Sequence, residues 1–503
     1  MSKKVVIIGA GFGGLATANL LAKAGFNVSV YEAHSSPGGR AGELTIDGFR
    51  FDTGPSWFLM PDVYEHYFSL LGEDSNSLLK IKRLDPAYRV FFENSPPVLI
   101  SGDTTKNQRV FEEIEPGAGA RLSRYLIQAE KTYRIAVNGF LYDTLTLKNM
   151  VSLKNLSIAP RLLSALLVPM DRYVGSFFRD KRLHQILEYP TVFLGSSPFE
   201  TPSIYRLMSH LDFNQGVFFP EKGIYSLVGV LEGIGNELGV EYYYDAPVKR
   251  IVTNDKVASG IELEDGRKVE ADIVISNADL HYTETSLLPP RLQTYPQSYW
   301  DKKQPAPSAL LMYLGIKGSL PELQHHNLFF IDDWKENFKA IYESRDWPLP
   351  ASMYVSRTSA TDPTAAPSGC ENIFVLVPGP SGEMNGADLS ELADTYIDQL
   401  VKMSGVSDLK ERIIVKKLYG PNDFGDDFHA WQNTALGLSH VLKQSASMRP
   451  ANASKKVSNL YYVGASTSPG IGLPMCLIGA ELVLKLITGS TTKGPLKDIP
   501  NYV

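Results

Sequence analysis

The residues best placed to do chemistry lie at the start of the chain. Gly9, Gly11 and Gly14 fall in the spacing G-x-G-x-x-G, and Glu32 follows eighteen residues after Gly14. In this order Gly9 permits a tight turn, Gly11 lets backbone approach a pyrophosphate, and Gly14 lets a helix pack closely on a strand. A helix opening on the motif would offer free N–H groups and a positive dipole end to phosphate, and Glu32 could accept both ribose hydroxyl protons. A second glycine pair with a cation, Gly38-Gly39-Arg40, could wrap a second stretch of the same ligand. Phe51-Asp52-Thr53-Gly54-Pro55-Ser56 follows.

The surrounding elements must hold these groups in register. Val5-Val6-Ile7-Ile8 is an apolar, β-branched run suited to a buried parallel strand, Leu15 to Ala24 has helical spacing, and Asn27 to Tyr31 predicts a second strand. The same style returns twice. Leu227 to Leu238 predicts a helix after a turn at Phe219 to Gly223. Val240 to Tyr244 and Ala246 to Ile251 read as strands, and Asp265-Gly266 marks a hairpin before Ile273-Val274-Ile275. Leu460 to Val463 then reads as a strand, Gly464 to Pro474 as a glycine-rich loop, and Ile478 to Ile487 as a closing helix. Three separated segments thus predict one α/β nucleotide domain interrupted twice. The expected division is 1–75, 219–290 and 441–503 for that Rossmann-like domain. A helical insertion is expected at 76–218 and an α+β substrate domain at 291–440.

Composition narrows the function classes. The 503 residues, at about 150 per domain, suggest about three units. With 44% hydrophobic and 21% charged residues the chain is globular, and a net charge of −6 argues against a dedicated nucleic-acid binder. Cys370 and Cys476 are too few for a disulfide scaffold or a four-cysteine zinc site and read as buried thiols in a reducing, cytoplasmic compartment. Glycines interrupt the apolar N-terminal run, unlike a signal peptide, and no apolar stretch is long enough to span a bilayer.

Together the motifs resemble the bacterial and fungal phytoene desaturase family over nearly the whole chain. The matching features are the N-terminal fingerprint, Pro198 to Tyr205, Phe219-Pro220 with Gly223, and Ser276-Asn277-Ala278-Asp279. Thr361-Asp362-Pro363 with Ala366-Pro367, Asp423-Phe424, Gln444-Ser445-Ala446 with Arg449-Pro450, and Asn459 to Pro474 continue the series. Ser468 stands where many members carry histidine. The resemblance implies an FAD-dependent desaturase of a linear C30 or C40 carotenoid precursor, with hydride passing to flavin N5. It implies that Gly9, Gly11, Gly14, Glu32, Gly39 and Arg40 bind the ADP half of FAD, with Val248 approaching the adenine through its backbone. Gly54, Pro55 and Trp57, with Gly464, Gly470, Ile471, Gly472 and Pro474, would lie against the flavin and ribityl chain. Gly470 and Gly472 would let backbone reach the isoalloxazine without a Cβ clash.

Cofactor chemistry of this kind needs an apolar slot more than a polar triad. No catalytic side chain is assigned, and no metal site is expected. The pair His325-His326 reads as a solvated loop, and Asp143, Arg206 and His429 read as surface or salt-bridge residues. Because the implied substrate is a lipid-soluble isoprenoid, a membrane-facing element is expected at 154–182. There Leu156, Ile158, Leu162, Leu163, Leu166, Leu167, Val168, Met170, Val174, Phe177 and Phe178 are flanked by Lys154, Arg161, Arg172, Arg179, Lys181 and Arg182. Pro160 and Pro169 oppose one long helix, so peripheral association is expected, with a buried helix pair as the competing reading. Other readings of the same fold are a carotenoid isomerase or oxygenase, a retinol-saturase-like enzyme, and a non-enzymatic isoprenoid-binding protein like a GDP-dissociation inhibitor. An amine oxidase fits less well, because the C-terminal loop lacks that pattern. Chain length of the substrate, number of steps, final electron acceptor and oligomeric state are left open.

Overall fold

A computed structural model describes residues 2–143, 165–384 and 388–502. Its first layer is a parallel five-stranded sheet in the order Leu460–Tyr462, Ile273–Ser276, β1 (Lys4–Ile8), β2 (Asn27–Tyr31), Glu241–Tyr243. The strands come from all three segments expected to share one nucleotide domain, and β1 sits at the centre, paired Ile7 to Ile275 and Ile7 to Val30. Alternation along β1 sets the layers. Val5 and Ile7 pack on helices α1 (Phe12–Lys23), Tyr225–Glu237 and Leu473–Thr488. Val6 and Ile8 pack on the antiparallel sheet of Val248–Asn254, Val257–Leu263 and Lys268–Glu270. Each fully buried Val or Ile contributes roughly 1.5–3 kcal/mol, which fixes register, since a one-residue slip would swap the two faces.

A seven-stranded sheet forms the second layer, ordered Ile413–Tyr419, Ser308–Lys317, Cys370–Gly379, Met353–Ser356, His326–Phe330, Tyr88–Phe92, Ser95–Ile100. Its pairings are antiparallel except that His326–Phe330 runs parallel to Tyr88–Phe92. Leu310, Met312 and Leu314 face the helix Leu389–Ser404, where Ala393, Ile397 and Leu400 cover them. Leu311 and Tyr313 face the opposite way, into the aromatic interior described below.

Several expectations are corrected. The segment 76–218, expected to be helical, contains the helices Thr104–Ile114, Ala118–Ile135 and Lys181–Glu188 but also gives two strands to the large sheet. The closing helix starts at Leu473 rather than Ile478, because Pro474 occupies its first turn, where a missing N–H costs nothing. His325 and His326 are not a solvated loop: they are 5% and 0% exposed, and His326 opens a strand. One nitrogen of each ring finds a partner inside, His325 Nδ1 with Thr361 Oγ1 and His326 Nδ1 with Tyr354 Oη, each at 2.7 Å, while each Nε2 has none. Neither cysteine is fully buried. Of the segment 154–182, residues 154–164 lie outside the described residues. Beyond them Met170, Val174 and Phe178 are core residues, while Leu167 is 62% exposed. Among the described residues no helix is long and apolar enough to cross a membrane.

Candidate active site

The two layers enclose one large cavity of about 1590 Å³, above the roughly 300–1,000 Å³ usual for a single small ligand. At one end it is lined by Gly9, Gly11, Glu32, Gly39, Arg40 and Val248, and further along by Gly54, Pro55, Trp57, Gly464, Ile471, Gly472 and Pro474. Gly14 and Gly470, from the same expected set, do not line it. Gly14 acts in packing, since a Cβ there would overlap the Gly9 carbonyl. Gly470 was expected against the flavin; its Cβ position is instead taken by the His440 ring.

The polar end is built from the turn after β1. Gly9 has φ +94°, the left-handed region that glycine enters without strain. Gly11 precedes α1, whose start has no capping side chain, and a Cβ on Gly11 would lie 2.6 Å from Asn277 Oδ1. Asn277 also donates from Nδ2 to the Val463 carbonyl at 2.9 Å, tying the strand Ile273–Ser276 to the C-terminal loop. Glu32 caps the turn: its carboxylate accepts the Ala10 amide at 2.6 Å and the His34 amide at 2.9 Å. Two oxygens with about four lone-pair sites leave capacity for a ligand hydroxyl. Asp52, in the second glycine region, accepts the amides of Ile224 and Tyr225 at 3.0 and 2.9 Å. Burial pushes its carboxyl up to about 6.

Arg40 is the cation of this end. Burial lowers its pKa, Asp279 opposes that shift, and its Nε has no hydrogen-bond partner. A guanidinium nitrogen shut away from water without a partner is costly unless an acceptor or an anion meets it. The ring of Phe428 lies under the guanidinium at 5.3 Å, and His34 Nε2 is 2.8 Å from the Asp427 carbonyl. The helix Pro421–Phe428 thus closes over this end, followed by His429, which stacks on Tyr282 at 4.0 Å.

The other arm is apolar. Tyr189, Phe193, Leu207, Leu328, Phe330 and Tyr354 line it, with Trp57 at its hub. Trp57 stacks on His326 at 4.1 Å and meets Phe193, Tyr189 and Tyr354 at 5.5, 5.8 and 5.8 Å. Burial holds His326 well below its usual range, so its ring is neutral. Below them Asp212 accepts from Tyr88 Oη at 2.8 Å and Tyr189 Oη at 3.1 Å. Burial pushes its carboxyl up to about 7. Cys476 also lines the cavity, and burial raises its thiol to about 12, which keeps it protonated.

Residues outside the sequence-derived set organise the C-terminal loop. Arg449 is buried and donates to the carbonyls of Thr467, Ala465, Leu438 and Gln444. His440 donates from Nδ1 to the Leu194 carbonyl at 3.0 Å, and burial with the nearby Arg449 keeps it neutral. The pair Arg449-Pro450 was visible as a family motif, but its role was not, because four carbonyls from separated positions carry no sequence signature. Of the three polar residues set aside as surface, His429 and Asp143 line the cavity. Asp143 also accepts the Gly494 amide at 3.0 Å. Arg206 does not line the cavity and lies over Tyr173 at 4.7 Å.

The profile described as flavin containing amine oxidoreductase matches residues 12–482. A carotenoid 3,4-desaturase of Haloarcula japonica is 42% identical over 95% of this chain and 96% of that protein. A zeta-carotene-forming phytoene desaturase of Myxococcus xanthus is 36% identical over 98% of this chain and 95% of its own. Among solved structures, putrescine oxidase bound to putrescine is similar with a TM-score of 0.64 at 17% identity, covering 97% of this chain and 99% of that one. At that identity the likeness concerns the fold.

Proposed function

The chain belongs to the flavin containing amine oxidoreductase family, and we propose that within it this protein is an FAD-dependent desaturase of a linear carotenoid precursor. The observation that carries this reading is the single cavity that joins a dinucleotide-type turn to a long aromatic and aliphatic arm. Relatives named as carotenoid and phytoene desaturases align over almost the whole chain, which supports this reading.

The residues present fit FAD. The unpartnered Nε of Arg40 and the uncapped start of α1 both call for an anion at the polar end. Glu32, Gly9, Gly11, Gly39, Arg40 and Val248 would hold the ADP half. Gly54, Pro55, Trp57, Gly464, Ile471, Gly472 and Pro474 would lie along the flavin half, with Gly14 acting through helix packing. When bound, FAD supplies the hydride acceptor. The chain itself must bind an uncharged polyene, exclude water and favour the cation left when hydride departs. Trp57, Tyr189, Phe193 and Tyr354 serve all three needs, since aromatic faces attract positive charge, most strongly when desolvated. No side chain is assigned as the proton acceptor.

The test is expression in a host that accumulates phytoene, with pigment analysis, beside purification of a yellow protein whose absorbance bleaches with dithionite. New conjugated products from C30 or C40 precursors are expected; their absence would overturn the reading. Formation of product without net oxidation would favour an isomerase. The relative named carotenoid 3,4-desaturase favours a second reading, in which the substrate is already a coloured linear carotenoid. Supplying coloured and uncoloured substrates separately distinguishes the two.

We also propose that the protein meets its lipid-soluble substrate at a membrane surface through the segment 154–182. Leu166 lines the cavity while the adjacent Leu167 is exposed, which supports an entry at this point.

A further inference from the structure

Away from the cavity, three side chains able to ligate a metal converge where the helix Met170–Gly175 meets the helix Lys181–Glu188. His184 Nδ1 lies 3.1 Å from Glu188 Oε1 and 3.6 Å from Asp171 Oδ1. The other ring nitrogen, Nε2, is 3.0 Å from the Phe178 carbonyl. A carbonyl only accepts, so Nε2 carries a proton, and Nδ1 faces two carboxylates that, against its burial, hold the metal-free ring protonated; a bound cation would take the place of the Nδ1 proton. A backbone carbonyl on the far nitrogen is the arrangement that orients a metal-bound imidazole.

Glu188 gives an independent reason for a ligand. Its side chain is 1% exposed, and Oε1 has no hydrogen-bond partner. The approach of His184 Nδ1 is therefore an ion-pair distance without hydrogen-bond geometry. A proton on Nδ1 would ease the repulsion but leave Oε1 unsatisfied. A cation lying off the line between the two atoms would satisfy both. Metal bonds of about 2.1 Å set neighbouring ligands about 3.0 Å apart in an octahedron and about 3.4 Å in a tetrahedron. The two separations at His184 lie within about 0.2 Å of that range.

We propose that Asp171, His184 and Glu188 bind one divalent transition cation of the zinc or manganese type. One imidazole with two carboxylates suits these ions better than calcium, which prefers an all-oxygen shell. His184 and Glu188 stand one turn apart on a single helix, and Asp171 reaches them from the neighbouring helix. The ion would clamp one helix inside the proposed membrane-facing segment to another that begins at its end. Asp171 is half-exposed, which leaves a coordination position to water. None of the three side chains lines the cavity, and the site does not depend on the desaturase reading.

The experiment uses tag-free, flavin-loaded protein stripped with a chelator and then titrated with Zn²⁺, with Co²⁺ as a spectroscopic probe. One equivalent of Zn²⁺ is expected to bind and raise the melting temperature, and Co²⁺ is expected to show ligand-field absorption. His184→Gln and Glu188→Gln are expected to weaken Zn²⁺ binding more than tenfold. Should either variant fold poorly, Asp171→Asn removes a half-exposed ligand and is expected to weaken binding with the flavin spectrum intact. If stripped wild type takes up no stoichiometric Zn²⁺, or if Asp171→Asn binds it as wild type does, the cluster is a buried ion pair and the proposal fails.

Discussion

Gly470 lies so close against His440 that a Cβ there would overlap the Nε2 of the imidazole. A protein ring therefore leaves no room for a side chain at this position. The glycine's φ of +145° adds backbone strain for any other residue. Gly470→Ala is expected to destabilise the flavin-loaded protein by roughly 1–3 kcal/mol. Chemical denaturation of Gly470→Ala with and without His440→Ala checks this: the second substitution is expected to recover the steric part of the loss and leave the backbone part.

Arg449 holds the same loop from beneath. Lysine could reach one or two of its four carbonyl partners, and methionine none. Arg449→Met is expected to cost at least about 3 kcal/mol, because each buried acceptor left unpaired costs about 1–3 kcal/mol. Flavin release during thermal melting is the readout. Flavin release should precede unfolding in Arg449→Lys, because the loop loosens before the core does.

Glu32→Gln tests the polar end. The amide keeps the shape of the carboxylate but loses its charge and presents a donor to either the Ala10 or the His34 amide. A lost charge-assisted bond of about 1.5–3 kcal/mol corresponds to a fall in FAD affinity of about 10- to 150-fold. Flavin content after exhaustive dialysis measures it, and wild-type retention would remove Glu32 from the site.

The nucleotide layer was legible because its signals are local. β2 runs Asn27–Tyr31 as the alternation predicts, and the glycine spacing marks the turn. The large sheet was not legible. Ser308–Lys317 is buried on both faces and has no period to read. It pairs on both edges with strands that come later in the chain, and its meaning appears only when Cys370–Gly379 and Ile413–Tyr419 are beside it. His326 was misplaced for a related reason: two adjacent histidines suggest solvent unless Tyr354 and Trp57 are known to receive them. The aromatic arm likewise depends on Trp57 meeting residues more than a hundred positions away.

Asp212 gives a pH test. Its folded carboxyl sits near 7, above the ordinary value near 3.8. Between these values the native state holds more protons than the unfolded chain, so this group's contribution to stability falls as pH rises through that window. Asp212→Asn keeps an oxygen acceptor for Tyr88 and Tyr189 and removes the titration. Urea midpoints of wild type are expected to decline relative to the variant between about pH 4 and pH 7. Asp52 titrates in the same direction in both proteins and cancels in the comparison. Parallel pH curves would mean that Asp212 ionises normally.

Leu167 offers a sharp test of membrane contact. Its neighbours are committed elsewhere: Leu166 lines the cavity, Met170 and Val174 are core, and Phe177 packs on that core. Leu167 is 62% exposed, so replacing it breaks little inside the protein. Burying one leucine in the interfacial region is worth roughly 1.5–3 kcal/mol, and each nearby cation adds about 1 kcal/mol over anionic lipid. Leu167→Glu loses the first term and sets a negative charge against the lipid. It is expected to reduce co-sedimentation with anionic vesicles by about tenfold or more, with the largest difference from wild type at low salt. Flavin content and melting temperature are expected to stay at wild-type values. Turnover of substrate delivered in vesicles should fall with binding, while turnover of detergent-dispersed substrate should not. Loss of both would place Leu167 in folding or catalysis, and loss of neither would move the entry face elsewhere.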